Sequence, residues 1–331
     1  MLAGTARLLA AAHAKSTLAG QATAVRSYQN SCRTEAERQP RGVSYESVLA
    51  WLVQLQDSTL SAKTASAYQS HVHTWWKLAL LPLPDPFLDP RLELPRRGLE
   101  RTLQRRAKFR ENKTELTEAA LHKITALWRS DGSPYEIRAI AVCWLGLGAI
   151  LRPGEMFGSA GTGQSSPRCE DVVFYARADG SAVVDPGSAL ASTPVPDRFS
   201  INLRTTKTDQ AGVLPPKVCA HPVTVRALWD WCRLRARTES LTGSLFNWEG
   251  KGCSQQTLLR KLEQAHETQG MGAATFTGKV FRRAGASALV SRGTAIHDVA
   301  AIAGWQSTRM PGVYASSDAA QAALLDIQRR R

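Results

Sequence analysis

The chain has 331 residues, of which 43% are hydrophobic and 21% are charged, a composition typical of a folded protein with room for two domains. Lysine and arginine number 42 against 28 acidic residues, and the resulting formal charge of +14 favours a polyanionic partner, nucleic acid first and an anionic membrane second. The longest apolar run, residues 139–151, is shorter than the roughly 20 residues that a membrane-spanning helix needs. A disordered chain and a membrane span are therefore both excluded.

The six cysteines are widely spaced and form no C-x-x-C pair, so the sequence predicts neither a zinc site nor a disulfide framework. We expect reduced thiols in an intracellular protein. The alanine-rich residues 1–20 weakly resemble a transit peptide, but a helical N-terminal arm is the favoured interpretation.

Residues 1–95 are predicted to form a small bundle of helices. Ser16 and Ser44 are candidate caps of two helices. A third helix is expected from Ser61 to Leu80, and we expect Trp75 and Trp76 in the core. Four prolines between residues 82 and 90 end the helical pattern.

Residues 96–111 are predicted to form a basic linker, because they hold few apolar positions and only two acids. A solvated connector is one interpretation of such a segment, and a linker that follows DNA phosphates is the other. The candidate DNA-binding side chains are Arg96, Arg97, Arg101, Arg105, Arg106, Lys108 and Arg110.

Residues 112–331 are predicted to form a second, mostly helical domain with a small antiparallel sheet. Helices are expected over residues 117–129, 134–150, 223–237, 255–269, 277–292, 295–303 and 318–329. Strands are expected over residues 172–176, 182–185 and 199–204. The predicted fold class is mainly α with a small β-sheet.

Cationic residues recur in contexts that suggest chemistry. Arg152 follows an apolar helix, with Glu155 three residues on to orient it, and Lys207 follows a predicted strand where a hairpin turn would project it. Lys217 is a nearby rival of Lys207. Lys279 and Arg282 share one face of a helix.

Two aromatic residues complete the pattern, since Trp305 follows Arg282 by 23 residues and Tyr314 follows Trp305 by nine. The ordered set Arg152, Lys207, Lys279, Arg282, Trp305 and Tyr314 resembles the active-site series of the tyrosine recombinases, the phage-integrase family. Taken singly, the same residues would be ordinary: a core tryptophan, a half-buried tyrosine and an arginine at a helix C-terminus.

The resemblance implies a C-shaped two-domain DNA clamp, in which a SAM-like helical core-binding domain precedes an integrase-type catalytic domain. It implies a site-specific recombinase or integrase that binds double-stranded DNA, acts as a homo-tetramer on two sites and needs neither a cofactor nor a metal. Residues 318–331 could dock in cis or in trans, with trans favoured. The expected location is intracellular and DNA-associated.

The resemblance also implies roles for the residues. Tyr314 is expected to attack phosphorus and form a 3′-phosphotyrosyl link, with Arg152 and Arg282 binding the phosphate oxygens. Lys207 is the expected general acid. Lys279 is expected to bind phosphate as a cation, although a role as base stays open, and Trp305 is expected to donate one hydrogen bond and to pack.

Two alternatives share much of this pattern. A type IB topoisomerase uses a closely related catalytic series, but its N-terminal part is richer in strand than this one. A non-catalytic DNA-binding relative would have no reason to retain the nucleophile.

Overall fold

The computed structural model describes residues 15–79, 83–108, 114–158, 165–176, 183–188, 194–204, 215–238 and 241–305. The chain divides into two compact units, Met1–Asn112 and Lys113–Arg331. None of the described helices combines the length and the apolar character that crossing a bilayer requires.

The described part of the first unit is built from helices. They are α1 (Lys15–Ser31), α2 (Tyr45–Asp57), α3 (Ala62–Leu78) and α4 (Glu93–Lys108), with short 3-10 turns at Pro40–Gly42, Pro86–Leu88 and Pro90–Leu92. The predicted cap Ser44 is confirmed, because its hydroxyl accepts from the backbone N–H of Ser47, and Ser61 caps α3 in the same way by accepting from Thr64. The other predicted cap, Ser16, lies inside α1.

An aromatic cluster fills the core of this unit. Tyr28 and Trp51 are fully buried and meet edge to face, with their ring centroids 5.6 Å apart. Trp76 is buried as predicted, and Trp75 packs on the cluster with its ring centroid 6.1 Å from that of Tyr28.

The basic segment is a helix of the first unit, which differs from the predicted linker. Leu99 and Leu103 of α4 are 4% and 1% exposed, and they belong to the same core as Tyr28 and Trp51. Two leucines four residues apart make a narrow apolar stripe, which anchors a helix even when its other faces are basic. The linker prediction is therefore wrong for residues 96–108, and residues 109–111 lie outside the described part of the chain.

The second unit combines helices with one small sheet. Its described helices are α5 (Glu118–Asp131), α6 (Pro134–Gly148), α7 (Pro153–Phe157), α8 (Pro222–Thr238), α9 (Gln255–Thr268), α10 (Val280–Ser291) and α11 (Ile296–Ala303). Its strands are β1 (Val172–Tyr175), β2 (Val183–Val184), β3 (Arg198–Ile201) and β4 (Lys217–Cys219), paired antiparallel in the order β2-β1-β3-β4. This confirms the predicted fold class. The sequence missed β4, and the predicted helix over 318–329 lies outside the described residues.

Helix α6 is the centre of the second unit, buried on nearly all sides between α5, α8 and α10. Three glycines allow the close approach of these helices. A methyl group added at Gly285 of α10 would lie 2.1 Å from the Leu147 carbonyl oxygen, and methyl groups at Gly146 and Gly148 would collide with Met156 and Thr224. Glycine is required at these contacts because a Cβ would separate the helices.

Helix α6 ends in a Schellman motif that places a β-branched residue in the left-handed region. Leu151 N–H donates to the Gly146 carbonyl (3.1 Å) and Ile150 N–H to the Leu147 carbonyl (3.3 Å), with φ of Ile150 at 50°. That conformation costs about 1–2 kcal/mol for a residue with a Cβ. Full burial of the Ile150 side chain contributes about 2–3 kcal/mol and outweighs the strain.

We expect Ile150→Ala to be less stable than Ile150→Gly by about 0.5–1 kcal/mol, because both lose the branched side chain but only glycine relieves the left-handed strain. At the exposed helical residue Lys123 the order should be reversed, with alanine the more stable by about 1 kcal/mol. Urea unfolding of the four variants measures both differences. A less stable glycine at both positions would show that Ile150 is not strained.

Candidate active site

Arg152 lies in the turn that joins α6 to α7. Pro153 takes the first position of α7, and Glu155 in its first turn accepts from both the Arg152 backbone N–H and the Arg152 Nη1, each at 2.7 Å. The side chain of Glu155 is 1% exposed and that of Arg152 is 22% exposed. The buried carboxylate thus orients a guanidinium that reaches solvent, as the sequence predicts.

Arg282 of α10 joins two helix ends. Its Nη1 donates to the Ile150 carbonyl just after α6 (2.7 Å), and its Nη2 donates to the Ala303 carbonyl at the end of α11 (2.6 Å). Carbonyl groups at a helix C-terminus carry partial negative charge and favour a cation. Arg282 Nη1 also lies 4.0 Å from Glu155 Oε2, so one carboxylate serves both arginines, and the guanidinium is 1% exposed.

Trp305 packs against the second guanidinium. Gly304 ends α11 in a left-handed conformation (φ 63°), and Trp305 N–H donates to the Ala300 carbonyl at 2.8 Å. The Arg282 Cζ then lies 4.9 Å from the centre of the Trp305 ring, an arrangement that stabilises a cation over an aromatic face. The described packing of Trp305 is thus against Arg282, and the residues that lead on to Tyr314 lie outside the described part of the chain.

Lys217 is the third cation that the structure brings to this site. It begins β4, and its Nζ donates to the carbonyls of Ile302 (3.0 Å) and Ala149 (3.4 Å). Burial is the main reason that its pKa falls to about 8; the Glu155 carboxylate opposes the shift, and the nearby Arg282 and Arg152 guanidinium groups add to it. The sequence weighed Lys217 only as a rival of Lys207.

The other predicted residues are not part of the described cluster. Lys279 precedes α10 with an exposed side chain, and no hydrogen bond or ion pair joins that side chain to another described residue. Lys207 belongs to the connection between β3 and β4, and both Lys207 and Tyr314 lie outside the described residues. The structure therefore gathers Arg152, Arg282 and Trp305 from the predicted set.

The basic helix α4 of the first unit presents a separate cationic surface. Arg97, Arg101 and Arg105 are exposed and recur at every fourth position, on the face opposite the buried Leu99 and Leu103. This repeat aligns the three guanidinium groups along one side of the helix. We call Arg97, Arg101 and Arg105 the arginine stripe.

The remaining basic residues of the segment have other surroundings. Arg96 is half-buried and donates to the Gln69 side chain (3.2 Å), and burial lowers its pKa. Arg106 donates to the Gln56 carbonyl. The Lys108 side chain and Arg110 lie outside the described part of the chain.

No family model and no curated protein matches this sequence. Solved structures do match it. A lambda integrase dimer bound to a COC′ core site matches with a TM-score of 0.54 and 15% identity over 95% of this chain and 94% of that one. The XerH site-specific recombinase in a post-cleavage complex with a palindromic difH substrate matches with a TM-score of 0.55 and 13% identity, over 84% of this chain and 70% of that one.

The Tn1549 transposon integrase in complex with transposon right-end DNA also matches, with a TM-score of 0.52 and 15% identity over 87% of this chain and 85% of that one. The chain has the fold of these recombinases and integrases. The resemblance to tyrosine recombinases that the sequence suggests is thus confirmed at the level of the fold.

We expect Glu155→Ala to lower the free energy of unfolding by about 3 kcal/mol, because it leaves the buried Arg282 guanidinium without its nearby carboxylate. Glu115 pairs with Arg283 at the surface, and Glu115→Ala should cost less than about 1 kcal/mol. Chemical denaturation of both variants tests this contrast. Equal losses would mean that Glu155 does not compensate a buried charge.

Proposed function

We propose that this protein is a site-specific DNA recombinase or integrase of the tyrosine recombinase family. The observation that carries the proposal is the joining of Arg152 to Arg282 through the buried Glu155, with Trp305 packed over the second guanidinium. Tyr314 follows Trp305 by nine residues in the sequence. Cleavage of a phosphodiester needs such fixed cations near a nucleophile, because negative charge develops on the phosphoryl oxygens.

Arg152 and Arg282 bind the two non-bridging oxygens in this proposal. A planar guanidinium matches the geometry of phosphate and keeps its charge at any working pH. The loss of one preorganised donor of this kind costs about 3 kcal/mol, or roughly a hundredfold in rate. Each arginine is therefore expected to be nearly essential for cleavage.

The proposal assigns the remaining steps to residues that the sequence identifies. Tyr314 releases its phenol proton to water, and the phenolate, stabilised by the neighbouring cations, attacks phosphorus and forms a 3′-phosphotyrosyl bond. The bond from phosphorus to the 5′-oxygen breaks, and Lys207 gives a proton to the departing oxygen. Lys279 adds donors to the phosphate as a cation, since only its neutral amine could accept the tyrosine proton. Trp305 donates its indole N–H to a phosphate oxygen.

The covalent intermediate conserves the energy of the broken bond, so rejoining needs only the 5′-hydroxyl of another strand and neither ATP nor a metal. Recombination joins two DNA sites, and we propose that four copies of the chain act together on them. Residues 318–331 would dock on a neighbouring copy. Because the substrate of this reaction is DNA, we propose that the protein is intracellular and associated with DNA.

We expect the protein to become covalently attached to duplex DNA that carries a nick beside the cleavage site, because the short fragment diffuses away and cannot be rejoined. The protein is incubated with a library of nicked duplexes of random sequence and then denatured with detergent, so that only covalently attached DNA stays with it. The amount of this DNA measures the attachment, and its sequence identifies the cleavage site. Tyr314→Phe should abolish it. The control Tyr135→Phe removes a surface hydroxyl bonded to Glu249 and should leave the yield unchanged.

An equal yield from Tyr314→Phe would refute the assignment of the nucleophile. Relaxation of supercoiled plasmids that lack the recovered sequence would favour a type IB topoisomerase. Failure of the wild-type protein to form any adduct would favour a non-catalytic DNA-binding relative.

The arginine stripe is proposed to contact the DNA backbone. Three guanidinium groups along one helix face, spaced by one turn each, can follow successive phosphates without reading the bases. Arg97 also pairs with Glu93 on the same helix, whereas Arg101 and Arg105 carry no opposing carboxylate among their described contacts.

We expect the double variant Arg101→Ala and Arg105→Ala to weaken DNA binding, because two phosphate contacts are lost. The slope of the logarithm of the binding constant against the logarithm of salt concentration is negative, and it should become less steep by about 1.8. The double variant Arg38→Ala and Arg41→Ala makes the same change in net charge outside α4, at exposed positions, and should leave the slope nearly unchanged. Equal slopes for both variants would exclude a contact specific to α4.

A further inference from the structure

We propose that Lys217 is a positioning residue of the active site: its ammonium ties the end of α6 to the end of α11 and so fixes Arg152 and Trp305 on either side of Arg282. This inference rests on the proposed recombinase function. It assigns to Lys217 a role separate from that of Lys207, which stays the proposed proton donor.

Lys217 and Arg282 span the same gap between two helix ends. Lys217 Nζ contacts the carbonyls of Ala149 and Ile302, and Arg282 contacts the next carbonyl on each side, those of Ile150 and Ala303. The two cations thus bind two consecutive carbonyl groups at each of the two helix C-termini. The partial negative charge of both helix ends favours each cation, which offsets the repulsion between them.

The two helix ends lead directly to the residues that the proposal uses. Arg152 follows Ala149 by three residues, and Trp305 follows Ile302 by three. A change in the separation of these carbonyls would therefore move Arg152 and Trp305 relative to each other. Small displacements matter, since a shift of about 1 Å at a reacting group can cost on the order of a hundredfold in rate.

The position of Lys217 in the sheet explains how it reaches both helices. Lys217 is the first residue of β4 and pairs with Ile201 of β3, so the sheet holds its backbone. The connection that contains Lys207 ends at this strand, ten residues after Lys207. Lys217 consequently anchors one end of that connection to the same two helix ends.

The charges that face Lys217 are those of the site itself. They are Glu155 and Arg152 of the α6–α7 turn and Arg282 of α10. Burial lowers the pKa of Lys217 to about 8, the Glu155 carboxylate opposes that shift, and the two guanidinium groups add to it. The unfolded chain keeps the proton up to about 10.5, so the folded protein binds fewer protons between these values and gains stability there as pH rises. At pH 8 about half of the Lys217 side chains keep the charge, and the charged tie is lost progressively as the pH rises through that value.

The test separates positioning from proton donation by changing the leaving atom. In a substrate whose scissile 5′-oxygen is replaced by sulfur, departure needs no general acid, because a thiolate is a far better leaving group than an alkoxide. We expect Lys217→Met to slow cleavage about tenfold or more on both substrates. Lys207→Met should slow cleavage of the oxygen substrate, and its cleavage rate should recover on the sulfur substrate.

Several controls make the result specific. Lys217→Gln keeps N–H donors without the charge and replaces Lys217→Met if thermal unfolding shows that the methionine variant does not fold. Lys123→Met removes an exposed lysine of α5 and should cleave at the wild-type rate. DNA affinity should be unchanged in Lys217→Met, because the ammonium acts on the arrangement of the site.

Each outcome has one meaning. Recovery of the folded Lys217 variant on the sulfur substrate would overturn the positioning role and make Lys217 the proton donor. Wild-type rates on both substrates would overturn any role for Lys217 while leaving the proposed function intact. No cleavage by the wild-type protein on either substrate would instead refute the proposed function.

Discussion

The second unit depends on the meeting of two helix C-termini, those of α6 and α11, around two cations, of which Arg282 is buried. Carbonyl groups at a helix end have no partner within the helix and carry partial negative charge, so two such ends would repel each other if they met directly. Arg282 and Lys217 lie between them and satisfy two carbonyls from each side. The buried carboxylate of Glu155 balances part of this positive charge. The same balance that permits a buried guanidinium also keeps it in one orientation, which is the property that binding a phosphate requires.

This arrangement is possible only because the helices approach closely. Gly285 sits one turn after Arg282 and lets α10 lie against the last turn of α6, where the Leu147 carbonyl would otherwise meet a Cβ. The Schellman motif then reverses the chain within a few residues, and the buried Ile150 side chain holds that reversal in place. Arg152 thereby lies close to the guanidinium of Arg282, although Arg282 comes 130 positions later in the sequence. Packing between small residues thus determines the separation of the charges.

The sequence predicts most of the described helices well, because apolar spacing and a capping residue such as Ser44 are local signals. It also predicts the contact of Glu155 with Arg152, since a spacing of three residues at the start of a helix brings the two side chains together. It fails for α4, where two leucines among many arginines give too weak a pattern. It missed β4, a three-residue strand whose side chains alternate too briefly to be recognised. The carbonyl contacts of Arg282 and Lys217 could not be predicted, because every residue has a backbone carbonyl and the sequence does not distinguish the ones that a side chain will contact.

The left-handed Gly304 and the packed indole of Trp305 fix the last described position before Tyr314. From Trp305 to Tyr314 the chain can extend to about 30 Å, at roughly 3.3–3.6 Å for each residue. That length is comparable to the width of a small domain. Chain connectivity from Trp305 therefore permits the proposed nucleophile Tyr314 to reach either the site of its own subunit or that of a neighbouring copy.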